Sequence, residues 1–456
     1  MAARPLTHGT EDMGYTVSAT DLLAGYTDAD GDTLGISGLI ASNGTVTDNH
    51  DGTYSVAPTA DFNGTVTLGY SVVDGNGGVT PASIGYVLDA VNDAPTALAL
   101  SGNSVAENSA NGTLVGTLFA SDVDGSSFTY SLLDNAGGRF AVDAHSGAVS
   151  VANGALLDFE TAQHQLIDVE VKDAAGASYH HQFTIDLTNV VENKHYIGTS
   201  GADIFAATSD DNWTVDSKGG ADVITTLGGN DIITSGAGND SISTGSGDDL
   251  ILIAKGAGFD SIDGGAGNDM ILATAANAVI GLSAVHGIER ISSGGFAGVH
   301  IAGTGANDVL DFSQTVLSGI ATIEGGAGSD SVTGSTGNDT IIGGAGADIL
   351  AGGGGDDLFV FTAPGQSGTG VKADHILDFA AGDLIDLSGV DANGKLAGDQ
   401  AFTFIGTADF SGLGQLRIGS DHGHVAIFGN ISSNLNPDFE IILDNNALLH
   451  SYDFIL

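Results

Sequence analysis

The chain has 456 residues, and its 57 Asp and Glu against ten Lys and Arg give a formal net charge of −47 at pH 7. This charge argues against nucleic acid and anionic membrane surfaces as partners, because both are polyanions that would repel the chain. Cysteine is absent, which excludes disulfide bonds and thiolate chemistry and leaves metal ions as the available cross-links.

The first part of the chain has the pattern of β-sandwich domains. From residue 10 to 192, short runs of β-branched and aromatic residues alternate with polar ones and are separated by turn residues, as in 65–73. Long helical periodicity is absent from this region. The sequence Asn-Asp-Ala-Pro at 92–95 divides it into two units, which we predict as domains 1–94 and 95–193, each the size of one sandwich.

The second unit carries a series of acidic motifs. Glu107 lies in Val-Ala-Glu-Asn, Asp122 and Asp124 form a D-x-D pair, and Leu-Asp-Phe-Glu follows at 157–160. In this order the motifs resemble those of a cadherin domain, which implies that carboxylates at domain ends hold calcium. The resemblance assigns to the junction of the two sandwiches Glu11, Asn92, Asp93, Asp122 and Asp124, with Asp173 as a further candidate. It assigns to the junction with the next domain Glu107, Asp158, Glu160 and Glu192.

The first unit is similar to the bacterial cadherin-like tandem repeats, on the basis of Asp-Ala-Asp-Gly-Asp at 28–32, Asp-Gly-Thr-Tyr at 51–54 and the segment 91–95. It has no L-D-x-E segment. An EF-hand is excluded, because the residue eleven positions after Asp28 is leucine rather than glutamate. Two interpretations remain open for Asp28 and Asp30, a metal site and a solvated acidic turn.

The second half of the chain contains a nine-residue repeat. In it, each aspartate has a glycine two residues before it and an apolar residue two residues after it. This is the G-G-x-G-x-D-x-U-x pattern of a calcium-binding parallel β-roll, and it resembles the RTX, or hemolysin-type, calcium-binding repeat. The predicted calcium-site residues are Asp222, Asp231, Asp240, Asp249, Asp260, Asp269, Asp330, Asp339, Asp348 and Asp357, with Gly229, Gly238, Gly247, Gly267, Gly328, Gly337, Gly346 and Gly355.

The repeat predicts both the fold and the ligand. Its glycine-rich part forms a tight turn that needs φ > 0, and its x-U-x part forms a short strand whose U side chain points inward. Two repeats close one coil, and stacked coils offer multiple Ca²⁺ ions a cage of carboxylate and carbonyl oxygens. A phosphate-binding loop is excluded, because no Ser or Thr follows Lys395. The phase-locked apolar face argues against a disordered linker.

The repeats are uneven. The paired glycines are replaced at 217–218 and at 226–227. Asp249 and Asp260 are eleven residues apart, which predicts a bulge in that coil. Two further aspartates, each with an apolar residue two positions later, are interpreted as degenerate members of the repeat: Asp203 and Asp308.

The last segment differs from the repeats. It contains Asp-His-Ile-Leu-Asp-Phe at 374–379 and Gly-Asp-Leu-Ile-Asp-Leu-Ser-Gly at 382–389, and the chain ends in Asp-Phe-Ile-Leu. These stretches resemble the C-terminal domain of serralysin-type secreted metalloproteases. The resemblance implies export through a type I ABC exporter that reads an uncleaved C-terminal signal. A cap that only terminates the solenoid is also compatible with these residues.

These patterns predict three domains after the two sandwiches. We predict a first RTX block at 194–295, spacer coils and a second block at 296–361, and a cap with the secretion signal at 362–456. Residues 1–13 lack the apolar stretch of a signal peptide. The longest uncharged run, 270–288, is interrupted by polar residues, so we predict no membrane span. Glu11 lies close to the start for such a domain, so a fragment of a longer array is one expectation.

Catalysis is not predicted. None of the histidines lies in His-Glu-x-x-His, Gly-x-Ser-x-Gly is absent, and carboxylate pairs are too numerous to single out one for a glycosidase. An active site within 274–323 is left open as an alternative.

We therefore predict an all-β, non-enzymatic protein with two tandem cadherin- or Ig-like β-sandwiches, a parallel β-roll and a C-terminal β-rich cap. It would be secreted, fold on Ca²⁺ outside the cell, and contact a cell surface, matrix or polysaccharide. The alternatives are a passive spacer and a fragment or accessory of a larger RTX toxin or secreted hydrolase.

Overall fold

The computed structural model describes residues 5–456, so the first four residues of the predicted first domain lie outside the described residues. The chain divides into two compact units, Met1–Val190 and Val191–Leu456. The described helices are α1 (Ala19–Leu22) and three 3-10 segments, Gly154–Leu156, Gly370–Lys372 and Ser451–Asp453, and the remaining elements are strands. The prediction of an all-β fold is confirmed. Among the described residues, none of the helices is long and apolar enough to cross a bilayer.

The first sandwich packs a four-stranded sheet against a three-stranded one. Its strands are β1 (Gly9–Thr10), β2 (Tyr15–Ser18), β3 (Gly35–Ala41), β4 (Thr45–Asp48), β5 (Thr53–Ala57), β6 (Gly64–Val73) and β7 (Val79–Asp89). The sheet orders are β1-β7-β6-β3 and β2-β5-β4. Alternation along β6 sends Val66, Leu68 and Tyr70 into the core, while the residues between them face outward.

The second sandwich has two four-stranded sheets. Its strands are β8 (Ala97–Leu100), β9 (Ser104–Ala106), β10 (Leu114–Ser121), β11 (Thr129–Asp134), β12 (Phe140–Val142), β13 (Ala148–Val151), β14 (His164–Lys172) and β15 (Ser178–Thr188). The sheet orders are β12-β13-β10-β8 and β11-β14-β15-β9. Ile167, Val169 and Val171 of β14 are fully buried between the sheets. In both sandwiches a short N-terminal strand pairs in parallel with the last strand, which places the acidic residues that follow it at one end of the domain.

The second unit is a parallel β-solenoid. Its strands are β16 (Asn193–Ile197), β17 (Ile204–Ala206), β18 (Asn212–Asp216), β19 (Val223–Thr225), β20 (Ile232–Thr234), β21 (Ser241–Ser243), β22 (Leu250–Ile253), β23 (Phe259–Asp263), β24 (Met270–Ala273), β25 (Val279–His286), β26 (Arg290–Ser292), β27 (His300–Ala302), β28 (Val309–Asp311), β29 (Val316–Ser318), β30 (Ile323–Ala327), β31 (Ser331–Thr333), β32 (Thr340–Ala345), β33 (Ile349–Ala351), β34 (Leu358–Val360), β35 (Asp374–Ile376), β36 (Leu384–Asp386), β37 (Thr403–Phe404), β38 (Gln415–Asp421), β39 (His424–Asn430), β40 (Phe439–Leu443) and β41 (Phe454–Ile455).

The strands of the solenoid alternate between two faces. One face is an eleven-stranded sheet, β17-β19-β21-β23-β25-β27-β30-β32-β34-β36-β41. The other face consists of two sheets, β16-β18-β20-β22-β24-β26-β29 and then β28-β31-β33-β35-β40-β39-β38-β37. The tail therefore continues both faces, since β40 pairs in parallel with β35 and β41 pairs in parallel with β36.

The nine-residue period sets the coil. Where the nine-residue count is unbroken, partners in the parallel ladders are 18 residues apart, as in Ile224 opposite Ile242 and Ile233 opposite Ile251, so two repeats make one coil as predicted. All ten U residues are buried, with at most 2% of each exposed, and nine of them are Ile, Val or Leu. The inward direction of the U side chain is confirmed.

The predicted bulge between Asp249 and Asp260 is wrong. The two extra residues lie in the exposed turn around Lys255 and Gly256, and β23 keeps an uninterrupted register with β21. A solvated turn absorbs added length at little cost, whereas a one-residue slip within a strand would turn its buried face outward. The register shift lies in the next coil, where β25 carries one more residue than β23.

Close approach of successive coils makes specific glycines obligatory. Gly238 has φ +138°, and a Cβ built on it would lie 1.6 Å from the carbonyl oxygen of Gly220 in the coil before. Gly256 has φ +84°, but a Cβ there would meet no described atom within 4 Å. The first glycine is needed for space as well as for its backbone angle, and the second for its backbone angle alone.

These two glycines make a matched pair of variants. We expect Gly238→Ala to lower the free energy of unfolding by about 3 kcal/mol, because coils must separate to admit the methyl group. Gly256→Ala should lower it by only about 1 kcal/mol, the cost of a left-handed alanine. Urea unfolding in saturating calcium measures both values. Equal losses in the two variants would contradict the close-approach argument.

Candidate metal centres

The aspartates of the roll are stacked into ladders of side chain to main chain hydrogen bonds. The N–H of Asp222 donates to Oδ1 of Asp240 (2.8 Å), and the N–H of Asp240 donates to Oδ1 of Asp260 (3.0 Å). On the other face, Asp231, Asp249 and Asp269 are linked in the same way. Oδ1 of each carboxylate thus accepts a main-chain N–H from the coil before it. Oδ2 takes no part in that bond.

That second oxygen is buried and unpaired in most of the ladder. Among the residues that the structure describes, Oδ2 has no hydrogen-bond partner in Asp222, Asp231, Asp240, Asp249, Asp269, Asp330, Asp348 and Asp374. A buried acceptor without a donor costs about 1–3 kcal/mol, and more when it is charged. Eight such atoms stacked in ladders indicate that the folded roll binds a further group that pairs with them.

Burial also changes the acidity of these groups. It raises the pKa of Asp231, Asp269, Asp330 and Asp357 to about 6, that of Asp260 to about 7 and that of Asp374 to about 8. The neighbouring carboxylates add to the effect, as Asp249 does for Asp231. The fold therefore opposes ionisation of its own ladder unless a cation balances it.

The turns beside these carboxylates are shaped by positive φ angles. Seven of the eight predicted site glycines have φ between +99° and +154°, and Gly337 is the exception. In the two turns without paired glycines, Lys218 and Leu227 adopt φ +74° and +76°. The turn conformation is therefore imposed by the coil and is kept even where a side chain must take a left-handed backbone angle.

This donor set fits a hard cation. It consists of carboxylate oxygens that have no hydrogen-bond partner among the described residues and of closely stacked main-chain carbonyls, with neither cysteine in the chain nor histidine in the repeat turns. Oxygen-only ligation is what Ca²⁺ prefers, while Zn²⁺ favours nitrogen and sulfur. The residues of the ladder would hold the ion and supply its charge balance.

Several ladder members carry no paired glycines and were missed or given low weight by the sequence pattern. Asp203 and Asp308, interpreted as degenerate members, donate their N–H groups to the aspartate of the next coil, which is one rung of the ladder. The missed members accept an N–H from the rung before: Asp211, Glu289, Asp374 and Asp383. Each of these has an acidic residue followed two positions later by an apolar one, so the signal was present without the glycines.

A second group of carboxylates lies at the junction of the two sandwiches. Side-chain oxygens of Glu11, Asp93 and Asp124 lie within 4.8 Å of one another, and those of Asp12, Asp61 and Asp93 form a similar group. Asp93 belongs to both groups, and its Oδ2 has no hydrogen-bond partner among the described residues. Burial, followed by the charges of Asp12 and Asp61, raises the pKa of Asp93.

Main-chain contacts hold this junction in place. The buried Glu11 accepts the N–H of Val91, and Asp124 accepts the N–H of Asp93 at 2.6 Å. The Asn92 side chain donates to Asp173, which lowers the pKa of that aspartate. Asp122 accepts the N–H of Asp124 and has its other oxygen buried and unpaired within the described chain. The structure thus brings all the predicted junction residues to one region.

Sequence reasoning missed two members of the junction, Asp12 and Asp61. The N–H of Asp61 donates to Asp12, and both residues have φ near +57°, at +58° and +56°. Aspartate tolerates this left-handed angle better than most residues. Asp61 supplies a carboxylate in a domain that has no L-D-x-E segment. The available signals were the acidic residue next to Glu11 and the Asp-Phe pair at 61–62.

The other predicted clusters differ in outcome. Glu107, Asp158 and Glu160 bring side-chain oxygens within 4.8 Å of one another, with Glu107 buried and accepting the N–H groups of Phe159 and Val190. Asp28 instead lies in an exposed turn, where its Oδ1 accepts the N–H groups of Asp30 and Asp32. This arrangement is that of an acidic Asx turn. The described carboxylate groups of three do not include it.

A cleft lies where the second face of the solenoid changes from one sheet to the next. It has a volume of about 630 Å³ and is lined by residues that include His286, Glu289, Asp308, Asp311 and Gln314. Glu289 and Asp308 are already engaged in the carboxylate ladders. The cleft lies within 274–323, the segment for which the sequence analysis kept an active site as an alternative.

Three families match the chain. The cadherin-like domain matches residues 1–89, the cadherin domain matches residues 103–188, and the RTX calcium-binding nonapeptide repeat (four copies) matches 216–251, 256–280 and 324–359. The chain is therefore a modular protein with two cadherin-type domains and RTX calcium-binding repeats, domains typical of extracellular calcium-binding proteins. The serralysin-like character of the tail stays a prediction.

Individual relatives are similar over the sandwich region. Protocadherin beta-1 of Homo sapiens is 35% identical over 95 residues, 20% of this chain and 11% of that protein. Cadherin-related family member 1 of Rattus norvegicus is 36% identical over 110 residues, 23% of this chain and 13% of that protein. The chain thus spans about one tenth of the length of these relatives.

Similar solved structures include two-domain cadherin fragments. Chicken VE-cadherin EC1-2 is 20% identical, with 40% of this chain and 96% of that chain covered and a TM-score of 0.25. Human protocadherin-24 EC1-2 is 18% identical, with 40% and 94% covered and a TM-score of 0.30.

The raised carboxyl pKa values predict how metal-free stability depends on pH. A carboxyl whose pKa is higher in the folded than in the unfolded chain stabilises the fold fully below about pH 4, and that contribution is lost as pH rises through the folded value. For the roll this window runs from about pH 4 to pH 8. We expect the urea midpoint of the calcium-free roll to fall steadily across it, until at its upper end the roll no longer folds without calcium.

The measurement is urea unfolding of resin-decalcified protein from pH 4 to 8, followed by circular dichroism. Repeating it in 0.5 M KCl is the control, because salt screens exposed charges and leaves the buried ladder largely unaffected. A midpoint that is flat or rises with pH would show that the ladder carboxyls do not limit metal-free stability.

The junction makes a local prediction at Asp93. We expect Asp93→Asn to raise the calcium concentration that protects the segment 91–94 from proteolysis by about tenfold, equivalent to about 1.4 kcal/mol. Asp28→Asn is the matched control, since asparagine keeps the Oδ1 acceptor of that turn, and it should leave the midpoint unchanged. Mass spectrometry of the cleavage products locates the cut. The same shift in both variants would contradict a local role for Asp93.

Proposed function

We propose that this protein is a secreted, non-enzymatic adhesion protein whose roll folds when calcium fills the carboxylate ladders outside the cell. The observation that carries the proposal is the set of eight buried Oδ2 atoms that have no partner among the described residues. An apo roll would have to keep these charges in close stacks or protonate them. An extracellular supply of Ca²⁺ removes that opposition, while a cytosol poor in Ca²⁺ leaves it in force.

The energetics favour a switch. The formal net charge of the chain is −47 at pH 7, and the repulsion among these charges opposes the compact state. When free Ca²⁺ exceeds the Kd of an independent site a hundredfold, that site adds about 2.7 kcal/mol. Several sites together would exceed the roughly 5–15 kcal/mol by which typical domains are stable. The roll would therefore be unfolded or folded according to the calcium concentration around it.

The terminal segment supports export before folding. We propose that a type I ABC exporter reads the C-terminus of the unfolded chain. In the folded protein Phe454 is buried and β41 is the last strand of the eleven-stranded sheet. A signal in this position would be fully accessible before the roll forms, whereas folding buries Phe454 and leaves Tyr452 and Ile455 exposed. Folding outside the cell would also make export unidirectional, because the folded roll could not thread back.

Adhesion is proposed for the sandwiches. The match to cadherin-type domains supports it, and so does a set of large apolar side chains that are exposed on their sheets, among them Ile40, Phe119 and Leu166. The contact would be with a cell surface, a matrix or a polysaccharide. A passive spacer would need calcium at the junction for stiffness but would bind none of these.

Calcium titration of the full chain followed by far-UV circular dichroism tests the folding proposal. We expect a cooperative gain of β-structure that EDTA reverses, because the ladder cannot stack its charges without cations. A chain that is fully β-structured in EDTA at pH 7.5 would sink the proposal. Isosteric replacement of Asp240, Asp249 and Asp348 by Asn controls for ionic strength, since it should weaken the transition without changing the length or the apolar face of the coils.

Adhesion is tested separately with beads that carry the full chain. We expect binding to the producing cells or their matrix in calcium, and loss of binding in the Phe119→Ser variant with an unchanged circular dichroism spectrum. Beads that bind nothing while the protein remains folded would favour the spacer.

A further inference from the structure

Three turns of the roll are built differently from the others. They end at Asp203, Asp308 and Asp339, and in each the residue four positions before the aspartate carries a hydroxyl: Thr199, Thr304 and Ser335. In all three, the main-chain N–H and the hydroxyl of that residue both donate to Oδ2 of the aspartate. The Oδ2 atom, which is unpaired in eight other described aspartates of the ladders, is thus paired within its own turn.

The turn at Asp339 shows the geometry in full. The Ser335 N–H lies 2.6 Å from Oδ2 of Asp339, and the Ser335 Oγ lies 2.9 Å from the same atom. The N–H of Gly337 in turn donates to Ser335 Oγ at 3.1 Å. The carboxylate is buried, and both donors to its Oδ2 come from Ser335. We call this arrangement a closed turn.

An open turn, by contrast, depends on two left-handed residues. Before Asp348, Gly344 and Gly346 have φ +106° and +154°, and Oδ2 of Asp348 has no partner among the described residues. Ser335 and Gly337 are not among the residues with positive φ. A β-branched threonine at the first position resists φ > 0, and serine or threonine readily bonds a nearby carboxylate instead. The residue four positions before the aspartate therefore selects the turn.

Closed turns occur where a carboxylate ladder begins. Asp203 precedes β17, the first strand of the eleven-stranded sheet, and Asp308 precedes β28, the first strand of the eight-stranded sheet. Ile341, two residues after Asp339, lies opposite Ile323 of the preceding coil. The residue of that coil equivalent to Asp339 is therefore Ala321. Each of these aspartates thus lacks an acidic residue one coil earlier to donate to it, and each is held by its own turn.

We propose that the three closed turns are calcium-free caps that start the ion columns of the roll, and that the hydroxyl residue four positions before the aspartate decides whether a turn holds an ion. The inference rests on the proposed calcium-dependent folding. It gives Asp339 a role different from the calcium ligand that the repeat pattern predicts. A cation at a closed turn would have to displace two hydrogen bonds from one buried oxygen, whereas at an open turn it displaces none.

The decisive variant is Ser335→Gly, which converts Gly-Ser-Thr-Gly-Asn-Asp into the pattern Gly-Gly-x-Gly-Asn-Asp found at 264–269. Native mass spectrometry of the full chain, at a fixed saturating concentration of calcium, counts the bound ions. We expect one ion more than in the wild type. Thr336→Gly adds a glycine next to the cap without touching it, and Ser335→Thr keeps both donors, so both should retain the wild-type count.

A second pair of variants keeps the inference testable if Ser335→Gly does not fold. Asp339→Asn should leave the calcium count unchanged, whereas Asp348→Asn should lower it by one. An unchanged count in folded Ser335→Gly, or the loss of an ion in Asp339→Asn, would overturn the inference. A wild-type chain that binds no calcium would overturn the proposed function itself, so the two failures are distinguishable.

Discussion

Stacked aspartate carboxylates are the constraint on which the second unit depends. Each coil presents a carboxylate to the coil that precedes it, and the main-chain N–H that binds one oxygen fixes the direction of the other. Only ten Lys and Arg are available in the whole chain, so protein cations cannot balance the ladders. One exception shows what such balance requires. Burial alone would raise the pKa of Asp211, but hydrogen bonds from Lys194 and Ser209 hold this pKa below its ordinary value.

The strands and the turns of the roll carry separate tasks. The U side chains belong to one continuous apolar core that runs from Phe205 to Phe454. This core positions the coils, but it would do so for any stack of this period. The turns bring carbonyl oxygens of successive coils so close that glycines such as Gly346 leave no room for a Cβ. An oxygen-lined edge beside an apolar core lets an ion act on the fold without disturbing the packing inside it.

The sandwich junction uses the same chemistry in another form. Glu11, Asp93 and Asp124 come from three separate segments and meet at the connection between the two domains. Their main-chain hydrogen bonds hold the carboxylates together despite their like charge. A cation at this point would join residues of both domains, so its effect would be on the stiffness of the connection, while in the roll the proposed effect is on folding.

The sequence by itself determined the all-β class, the coil of two repeats, the buried U positions and most of the carboxylates that meet at the junction. These follow from alternation along a strand and from the φ angles that each residue type allows, which are local properties. Other features could not be read from it. The recruitment of Asp61 and Asp374 and the placement of the extra residues at Lys255 in a turn were decided by the tertiary structure. Whether a carboxylate oxygen is paired depends on which donors packing brings within about 3 Å, and residues 18 to 80 positions apart meet only in the folded chain.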